Sequence, residues 1–111
     1  MLEKTTRVNL LYDFYHGLLT EKQRLYTELY YVDDLSLSEI AEQYQVSRQA
    51  VFDNVKRVEQ LLEHFEQELQ LMQKHTIRED MLDELSTLLE QDRELDVHRL
   101  KNIITALKNV D

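Results

Sequence analysis

The chain has 111 residues, a length that favours one domain with room for a helical appendage. It contains one glycine, no proline and no cysteine, which disfavours sheet folds built on tight turns and excludes disulfides and thiolate zinc sites. The chain has 13 Lys and Arg residues and 22 Asp and Glu residues, and the resulting net charge of -9 disfavours indiscriminate binding to nucleic acid. No apolar run approaches the roughly 20 residues of a membrane span, and the first residues do not resemble a secretory signal. We therefore expect a cytoplasmic all-α protein.

Apolar residues at helical spacing predict the first two helices. The first helix covers residues 4–16, and Gly17 is expected to end it in a left-handed conformation. Thr20 and Gln23 have the spacing of a capping box, in which both side chains hydrogen-bond to backbone amides of the first turn. A second helix is therefore expected to start after Thr20 and to end at Asp33.

A short helix, a tight turn and a further helix follow. Ser36 and Glu39 form a second predicted capping box, which opens a short helix ending near Tyr44. Ser47 is a good N-cap for a helix that starts at Arg48. This arrangement is typical of a helix-turn-helix.

The residue types of this segment meet the physical demands of that motif. Ala41 supplies a small side chain where the two helices cross, and Val46 supplies an apolar plug for the turn. The inward positions of the second helix are apolar: Val51, Val55 and Val58. Gln45 takes the turn position where glycine is usual, and a non-glycine residue adopts that conformation at some cost. A plain helical bundle whose turn binds nothing remains the alternative.

The start of the second helix carries the candidate binding residues. Arg48 and Gln49 are suited to base edges, and Asp53 can accept a hydrogen bond from cytosine. The full candidate set for nucleic-acid binding is Ser47, Arg48, Gln49, Asp53, Lys56 and Arg57. Residues 47–58 have a net charge of +2, so DNA is the expected ligand, with RNA as the alternative. Phe52 either packs on the preceding helix or meets a protein or RNA partner.

The second helix is predicted to be long. From Val51 its apolar residues follow steps of 4, 3, 4, 3, 4 and 3, the spacing of a coiled-coil seam. A helix over residues 47–75 would be about 43 Å long. We expect a homodimer whose seam contains the following residues: Val58, Leu62, Phe65, Leu69 and Met72. An intramolecular three-helix bundle of residues 47–111 is the alternative.

Two further helices are predicted toward the C-terminus. Thr76 and Glu79 have capping-box spacing at the start of one, and Asp96 can cap the other. The charged residues 90–94 are expected to connect them. The prediction is six helices in two segments: a helix-turn-helix domain with a long recognition helix over 1–75, and a C-terminal helical pair for dimerisation or packing over 76–111.

Nothing in the sequence indicates catalysis, a metal site or a cofactor. None of the four histidines pairs with another at the spacing of a helical metal site. His64 and Glu68 lie one turn apart, which indicates a solvated ion pair rather than a ligand pair. Glu63 and Glu66 lie outside the apolar seam and are expected on a solvated face. We therefore expect a protein that is not an enzyme.

Three stretches resemble the fourth region of bacterial sigma factors: LTEKQR at 19–24, LSLSEIA at 35–41 and VSRQAV at 46–51. Nearly the whole chain resembles the YlxM-like family of small helix-turn-helix proteins of Gram-positive bacteria, notably in EIAE at 39–42 and SRQAVFDNVKR at 47–57. That resemblance implies a regulatory role in the signal recognition particle pathway, with a component of the particle as partner. Ala50, Phe52 and Asp53 stand where sigma fourth regions usually carry arginine and glutamine, so of the matching positions only Arg48 and Gln49 keep residues suited to reading a promoter element.

Two functional hypotheses follow. The first is a nucleic-acid-binding regulator that uses the helix starting at Arg48. The second is a protein-interaction adaptor that keeps the helix-turn-helix fold without reading a groove. The exposure and pairing of Arg48, Gln49, Lys56 and Arg57 are the features that discriminate between them.

Overall fold

A computed structural model describes residues 2–91 and 93–111 and has the predicted all-α class. The described residues form six helices, as predicted: α1 (Leu2–Tyr15), α2 (Glu21–Thr27), α3 (Leu37–Tyr44), α4 (Arg48–Leu69), α5 (Leu71–Glu90) and α6 (Val97–Lys108). A 3₁₀ turn, His16–Leu18, follows α1, and a π-helical segment, Glu28–Val32, continues α2. The chain divides into two compact units, Met1–Leu69 and Gln70–Asp111.

Two of the predicted helix starts outside the helix-turn-helix are confirmed. The Thr20 hydroxyl accepts a hydrogen bond from the Gln23 amide at 3.2 Å, and the Gln23 side chain accepts one from the Thr20 amide at 2.9 Å. The Asp96 carboxylate accepts a hydrogen bond from the Arg99 amide at 3.0 Å and so caps α6. The prediction for Gly17 is wrong, because its φ is not positive and α1 ends instead in the 3₁₀ turn. Asp92, in the predicted connector, lies outside the described residues.

The prediction of one continuous helix over residues 47–75 is wrong. Gln70 has φ 56° and ψ 31°, a left-handed conformation that interrupts the helix, so α4 ends at Leu69. The predicted capping box at Thr76 is also wrong, because α5 already begins at Leu71 and the Thr76 hydroxyl donates to the Met72 carbonyl at 3.1 Å. The break lies six residues before the boundary expected at 75/76. The sequence did not reveal it, because neither glycine nor proline occurs there.

Within the first unit, α4 is the helix against which α1, α2 and α3 pack. Its inward side chains are all buried: Val51, Val55, Val58 and Leu62. They meet buried side chains of the three surrounding helices, among them Leu11, Tyr26 and Ile40. Each large apolar side chain that is fully buried in this way stabilises the unit by roughly 1.5–3 kcal/mol.

This core corrects part of the predicted dimer seam. Val58 is 1% exposed and Leu62 is 0% exposed, so their own chain already covers both side chains. Phe65 is half-buried, with its ring centroid 6.0 Å from that of Tyr15. Leu69 is 44% exposed, and Met72 belongs to the second unit, beyond the break. The regular heptad spacing therefore reflects an intrachain core in its first half.

Glu66 is a second correction, because it is buried rather than part of a solvated face. It is 8% exposed and accepts a hydrogen bond from the buried hydroxyl of Tyr15 at 2.5 Å. A buried carboxylate needs such donors, since desolvating an unpaired charge costs far more than a hydrogen bond returns. The contact joins α1 to the last turns of α4.

An exposed ion pair joins the same two helices one turn earlier. The Arg7 guanidinium donates two hydrogen bonds to the Glu63 carboxylate, at 2.5 and 2.8 Å. These bonds hold the pKa of Glu63 below its usual value and raise the pKa of Arg7. Both side chains are about half exposed, so the pair contributes little to stability.

The buried contact should stabilise the fold more than an exposed contact of the same chemistry. We expect Tyr15→Phe to lower the free energy of unfolding by about 1–3 kcal/mol, because it removes a donor from a buried carboxylate. Tyr12→Phe is the matched control, since the Tyr12 hydroxyl also donates to a glutamate, the exposed Glu28. Its cost should stay below about 1 kcal/mol. Urea unfolding of both variants measures the difference, and equal costs would contradict the assignment.

The exposed ion pair predicts a small dependence of stability on pH. Because the folded-state pKa of Glu63 is lowered, the pair stabilises the fold above the unfolded pKa and loses this effect as pH falls through the folded value. We expect Glu63→Gln to lower the Tm by about 2–4 °C at neutral pH, for a loss of about 0.5 kcal/mol. The difference from wild type should vanish in acid, and a difference that persists there would count against the pair.

Candidate nucleic-acid interface

The start of α3 is held by its own residues. The Ser36 hydroxyl accepts a hydrogen bond from the Glu39 amide at 3.0 Å, and the Glu39 carboxylate accepts one from the Ser36 amide at 3.0 Å. The hydrogen bond from the Ser36 backbone amide, with a smaller contribution from the Ser36 side chain, lowers the pKa of Glu39. The predicted capping box is therefore confirmed, and it sets the helical register that buries Ile40 and Ala41.

The turn between α3 and α4 has the geometry that the motif requires. Gln45 has φ 54° and ψ 45°, the left-handed conformation expected of the usual glycine. The Val46 amide then donates to the Ala41 carbonyl at 3.0 Å, and the Val46 side chain packs against the core. This turn reverses the chain within three residues and places Ser47 at the start of α4.

The beginning of α4 is also capped as predicted. The Ser47 hydroxyl accepts a hydrogen bond from the Ala50 amide at 3.0 Å. Two residues of the crossing, Ala41 and Val51, are 7% and 0% exposed, so α3 and α4 meet closely. A short capped helix, a three-residue turn and a second capped helix with a shared core constitute a helix-turn-helix.

The side chains predicted to bind nucleic acid are all on the surface. All six members of the set are exposed: Ser47, Arg48, Gln49, Asp53, Lys56 and Arg57. Gln49, Asp53 and Lys56 share one face of α4, because they are spaced four and three residues apart. That face points away from the buried valines, so the structure brings polar groups together where a ligand can reach them.

Two of these polar groups already bind each other. The Gln49 amide nitrogen donates to the Asp53 carboxylate at 2.8 Å. The amide must leave Asp53 before it can make the bidentate contact that glutamine makes with adenine. Asp53 itself places a negative charge in the middle of the face, which opposes a phosphate.

Lys56 forms an ion pair with Glu59, a residue that was not among the predicted site residues. Its ammonium lies 3.7 Å from Glu59, which also pairs with Lys4 at 3.3 Å and accepts a hydrogen bond from Tyr31. Burial and Glu59 together raise the pKa of Tyr31. Of these partners only Lys56 has a local spacing signal, at i and i+3, because Lys4 and Tyr31 reach Glu59 from distant parts of the chain.

The two other cations of the candidate set are unpaired and lie on opposite flanks of this face. Arg48 and Arg57 are exposed and form no ion pair among the residues that the structure describes. Both lie in the first three turns of α4, within reach of a ligand placed along that half of the helix. They are the cations most free to bind phosphate or a base edge.

Phe52 lies at a groove beside the same half of α4. Its side chain is 43% exposed, and the groove has a volume of about 480 Å³. Tyr30, Leu35 and Leu37 contribute to its walls, together with Lys56 and Glu59. Of the two expectations for Phe52, the exposed one describes the structure better.

Residues 2–91 and 93–111 contain neither a cluster of metal-ligating side chains nor a helix suited to a membrane. No group of three or more His, Asp and Glu side chains is placed to hold a metal ion. None of the helices in this part of the chain has the length and apolar character needed to cross a membrane.

The fold and the site define a protein of the helix-turn-helix class. The chain belongs to the family described as "Putative helix-turn-helix protein, YlxM / p13 like", also called UPF0122, whose sequence model matches residues 2–103. The match includes the whole helix-turn-helix and extends well beyond it, to the second unit.

Full-length relatives support the assignment. The chain is similar to UPF0122 protein BcerKBAB4_3669 of Bacillus mycoides (strain KBAB4), with 50% identity over 111 residues and 100% of both chains covered. The same identity and coverage hold for UPF0122 protein BCAH187_A3894 of Bacillus cereus (strain AH187). They also hold for a UPF0122 protein of Bacillus anthracis (strain A0248).

The left-handed turn residue leads to a stability prediction. We expect Gln45→Gly to raise the free energy of unfolding by up to about 1 kcal/mol, because glycine adopts this conformation without a steric penalty. Gln43→Gly is the matched control, since Gln43 is an exposed residue inside α3 and glycine there should cost about 1 kcal/mol. Thermal unfolding of both variants tests the expectation, and destabilisation by both would contradict it.

Proposed function

We propose that this protein is a nucleic-acid-binding regulator that uses the first half of α4 as its reading element. The observation that carries the proposal is that Arg48 and Arg57 are exposed and form no ion pair among the described residues, in the first half of a helix positioned by a helix-turn-helix. Helices placed in this way enter the major groove of DNA through their N-terminal residues. DNA is the first expected ligand, and RNA is the second.

The charge of the protein makes this a weak binder of arbitrary sequences. The first unit has seven Lys and Arg residues against thirteen Asp and Glu residues, so only the local cations of α4 favour phosphate. If the protein acts as a homodimer, the four unpaired arginines give a log–log salt slope of about -4, and release of Lys56 from Glu59 moves it toward about -5. Binding to arbitrary sequences should therefore be lost at physiological salt, while a preferred sequence remains bound.

Selection from random pools of DNA and RNA is the experiment that identifies the ligand. Both pools should be offered to the full chain at low salt, so that weak binders are retained. Enrichment of one nucleic acid and of a short common sequence supports the proposal. Failure to retain either pool at low salt would exclude it.

The two arginines should have different roles in the selected complex. We expect Arg48→Ala to remove discrimination at one base position, at a cost of about 1–3 kcal/mol, because arginine contacts guanine through two hydrogen bonds. We expect Arg57→Ala to weaken all sequences alike and to flatten the salt slope by about one unit for each bound subunit. Titrations at several salt concentrations measure both effects.

A matched control separates these effects from the loss of any positive charge. Arg93→Ala removes an exposed arginine that lies outside the helix-turn-helix and donates a hydrogen bond to the nearby Gln91. It should leave the affinity and the salt slope nearly unchanged. If Arg48→Ala and Arg57→Ala behave like this control, the first half of α4 is not the reading element.

A protein-interaction adaptor is the second candidate function. The exposed Phe52 and its groove favour it, since an aromatic side chain beside an apolar wall is a common anchor for a protein partner. The acidic excess of the first unit and the charge of Asp53 also suit a basic protein better than a phosphate backbone. Under this hypothesis Phe52→Ala abolishes partner binding, whereas Arg48→Ala leaves it intact.

The family resemblance supports a setting for either activity. We place the protein in the cytoplasm, in the signal recognition particle pathway, as a non-enzymatic factor that binds the particle's RNA or one of its proteins. Titration with the purified RNA and with the purified proteins, each beside an unrelated control of equal size, tests this setting. Equal affinity for the controls would remove it.

A further inference from the structure

The second unit has very little core of its own. Among its described residues only one apolar side chain, Ile103 at 8% exposure, is buried. A two-helix unit of this size does not normally fold unless something else covers its apolar surface. Many of its large apolar side chains are exposed: Leu71, Ile77, Leu82, Leu89, Leu95, Val97 and Ile104.

The helices α5 and α6 form an antiparallel pair. Glu84 forms an ion pair with Arg99, and Arg78 forms one with Asp111, so residue numbers rise along α5 as they fall along α6. The half-buried Leu85 and the buried Ile103 indicate which side of each helix faces the other, since α5 and α6 are in contact. These contacts fix which side chains lie on each face of the pair.

Most of the exposed apolar side chains then fall on one face. On α5, Leu71, Leu82 and Leu89 lie within about 20° of one another around the helix axis. On α6, Val97 and Ile104 are one heptad apart and lie within about 20°. Because the helices are antiparallel, both groups lie to the same side of the helix contact, the α5 group about 40–60° from Leu85 and the α6 group about 100–120° from Ile103. The Glu84–Arg99 ion pair lies on the other side, as this geometry requires.

The charges of the two helices are opposite. Helix α6 has three Lys and Arg residues and no Asp or Glu, whereas α5 has five Asp and Glu residues and two Lys and Arg residues. Lys101 and Lys108 alternate with Val97 and Ile104 along the apolar edge of α6. Glu79 and Glu90 lie three turns apart on the flank of α5 next to Leu82 and Leu89.

We propose that a second copy of this chain covers the apolar face of α5 and α6, so that two helical pairs form a four-helix bundle. A second copy matches this face in both respects. It offers an equal apolar area, and it can set its acidic α5 against the basic α6 and its basic α6 against the acidic α5. A partner of one charge complements only one of the two helices. A four-helix bundle is also the smallest common all-α core that two such pairs can form.

The interface differs from a coiled-coil seam along α4, because Val58 and Leu62 are covered within one chain. It also stands apart from nucleic-acid binding, since its residues lie outside the helix-turn-helix. Its test can therefore fail while the proposed function holds, and the reverse.

Sedimentation equilibrium of the full chain gives the first test. The mass should be twice 13.4 kDa at micromolar concentration. Leu82→Glu and Ile104→Glu should each raise the dimer dissociation constant by about a hundredfold or more, because a two-fold interface buries each unpaired charge twice. Both side chains are exposed in the single chain and lie outside the first unit, so the helices of the first unit should be kept in circular dichroism when dissociation follows, whether or not the second unit keeps its own. Val32→Glu is the matched control, since Val32 is 61% exposed in the first unit, and this variant should stay dimeric.

Charge exchange gives a second test, in which the decisive result is a gain of association between two variants rather than a loss of dimerisation. Lys101→Glu with Lys108→Glu makes both helices acidic, and Glu79→Lys with Glu90→Lys gives both helices a net positive charge. Each double variant alone should dimerise more weakly than wild type, and an equimolar mixture should form the heterodimer. A monomeric wild type, a dimer unaffected by the Leu82 and Ile104 variants, or a mixture that stays monomeric would each overturn the proposal.

Discussion

The burial of one apolar line along α4 is the constraint on which the first unit depends. Val51, Val55, Val58 and Leu62 are at most 4% exposed, and three other helices pack against that line. Because these four side chains must point inward, the opposite face of the same helix has to point outward. The exposure of the polar residues from Arg48 to Arg57 is therefore a consequence of the core. A helix fixed in this way presents its outer face rigidly, which is what recognition of a rigid duplex requires.

That outer face attracts phosphate less than its residue types suggest, because carboxylates already bind several of its polar groups. Glu59 pairs with Lys56 and Lys4, and Asp53 accepts a hydrogen bond from the side-chain amide of Gln49. Of the candidate cations, only Arg48 and Arg57 form no ion pair among the described residues, and they lie on opposite flanks of this face. The result is a binding surface whose attraction to phosphate is small and whose polar groups must exchange partners on binding. Such a surface discriminates among ligands better than it attracts them, because each released contact has to be replaced.

The two units differ in how their apolar residues are used. In the first unit, the apolar side chains of α4 meet those of three other helices within one chain. In the second unit, a pair of helices has only one interface, so many of its large apolar side chains remain exposed. The difference follows from helix number, since two helices cover one stripe on each other and leave the neighbouring stripes open. The same amphipathic pattern thus yields a closed core in one unit and an open face in the other.

The sequence by itself determined the helical class, the helix-turn-helix and its caps, because these depend on interactions within a few residues. Ser36 with Glu39, Thr20 with Gln23, and Ser47 with the amide of Ala50 are all local contacts that spacing reveals. Only the tertiary structure decided the left-handed break at Gln70, the burial of Glu66 beneath Tyr15 and the partners of Glu59. No glycine or proline marks that break, and Tyr15, Lys4 and Tyr31 are far from their glutamates in sequence. The heptad spacing from Val51 to Met72 shows the same limit. It identifies side chains that need to be buried, but whether the same chain or a second copy covers them depends on where the other helices pack.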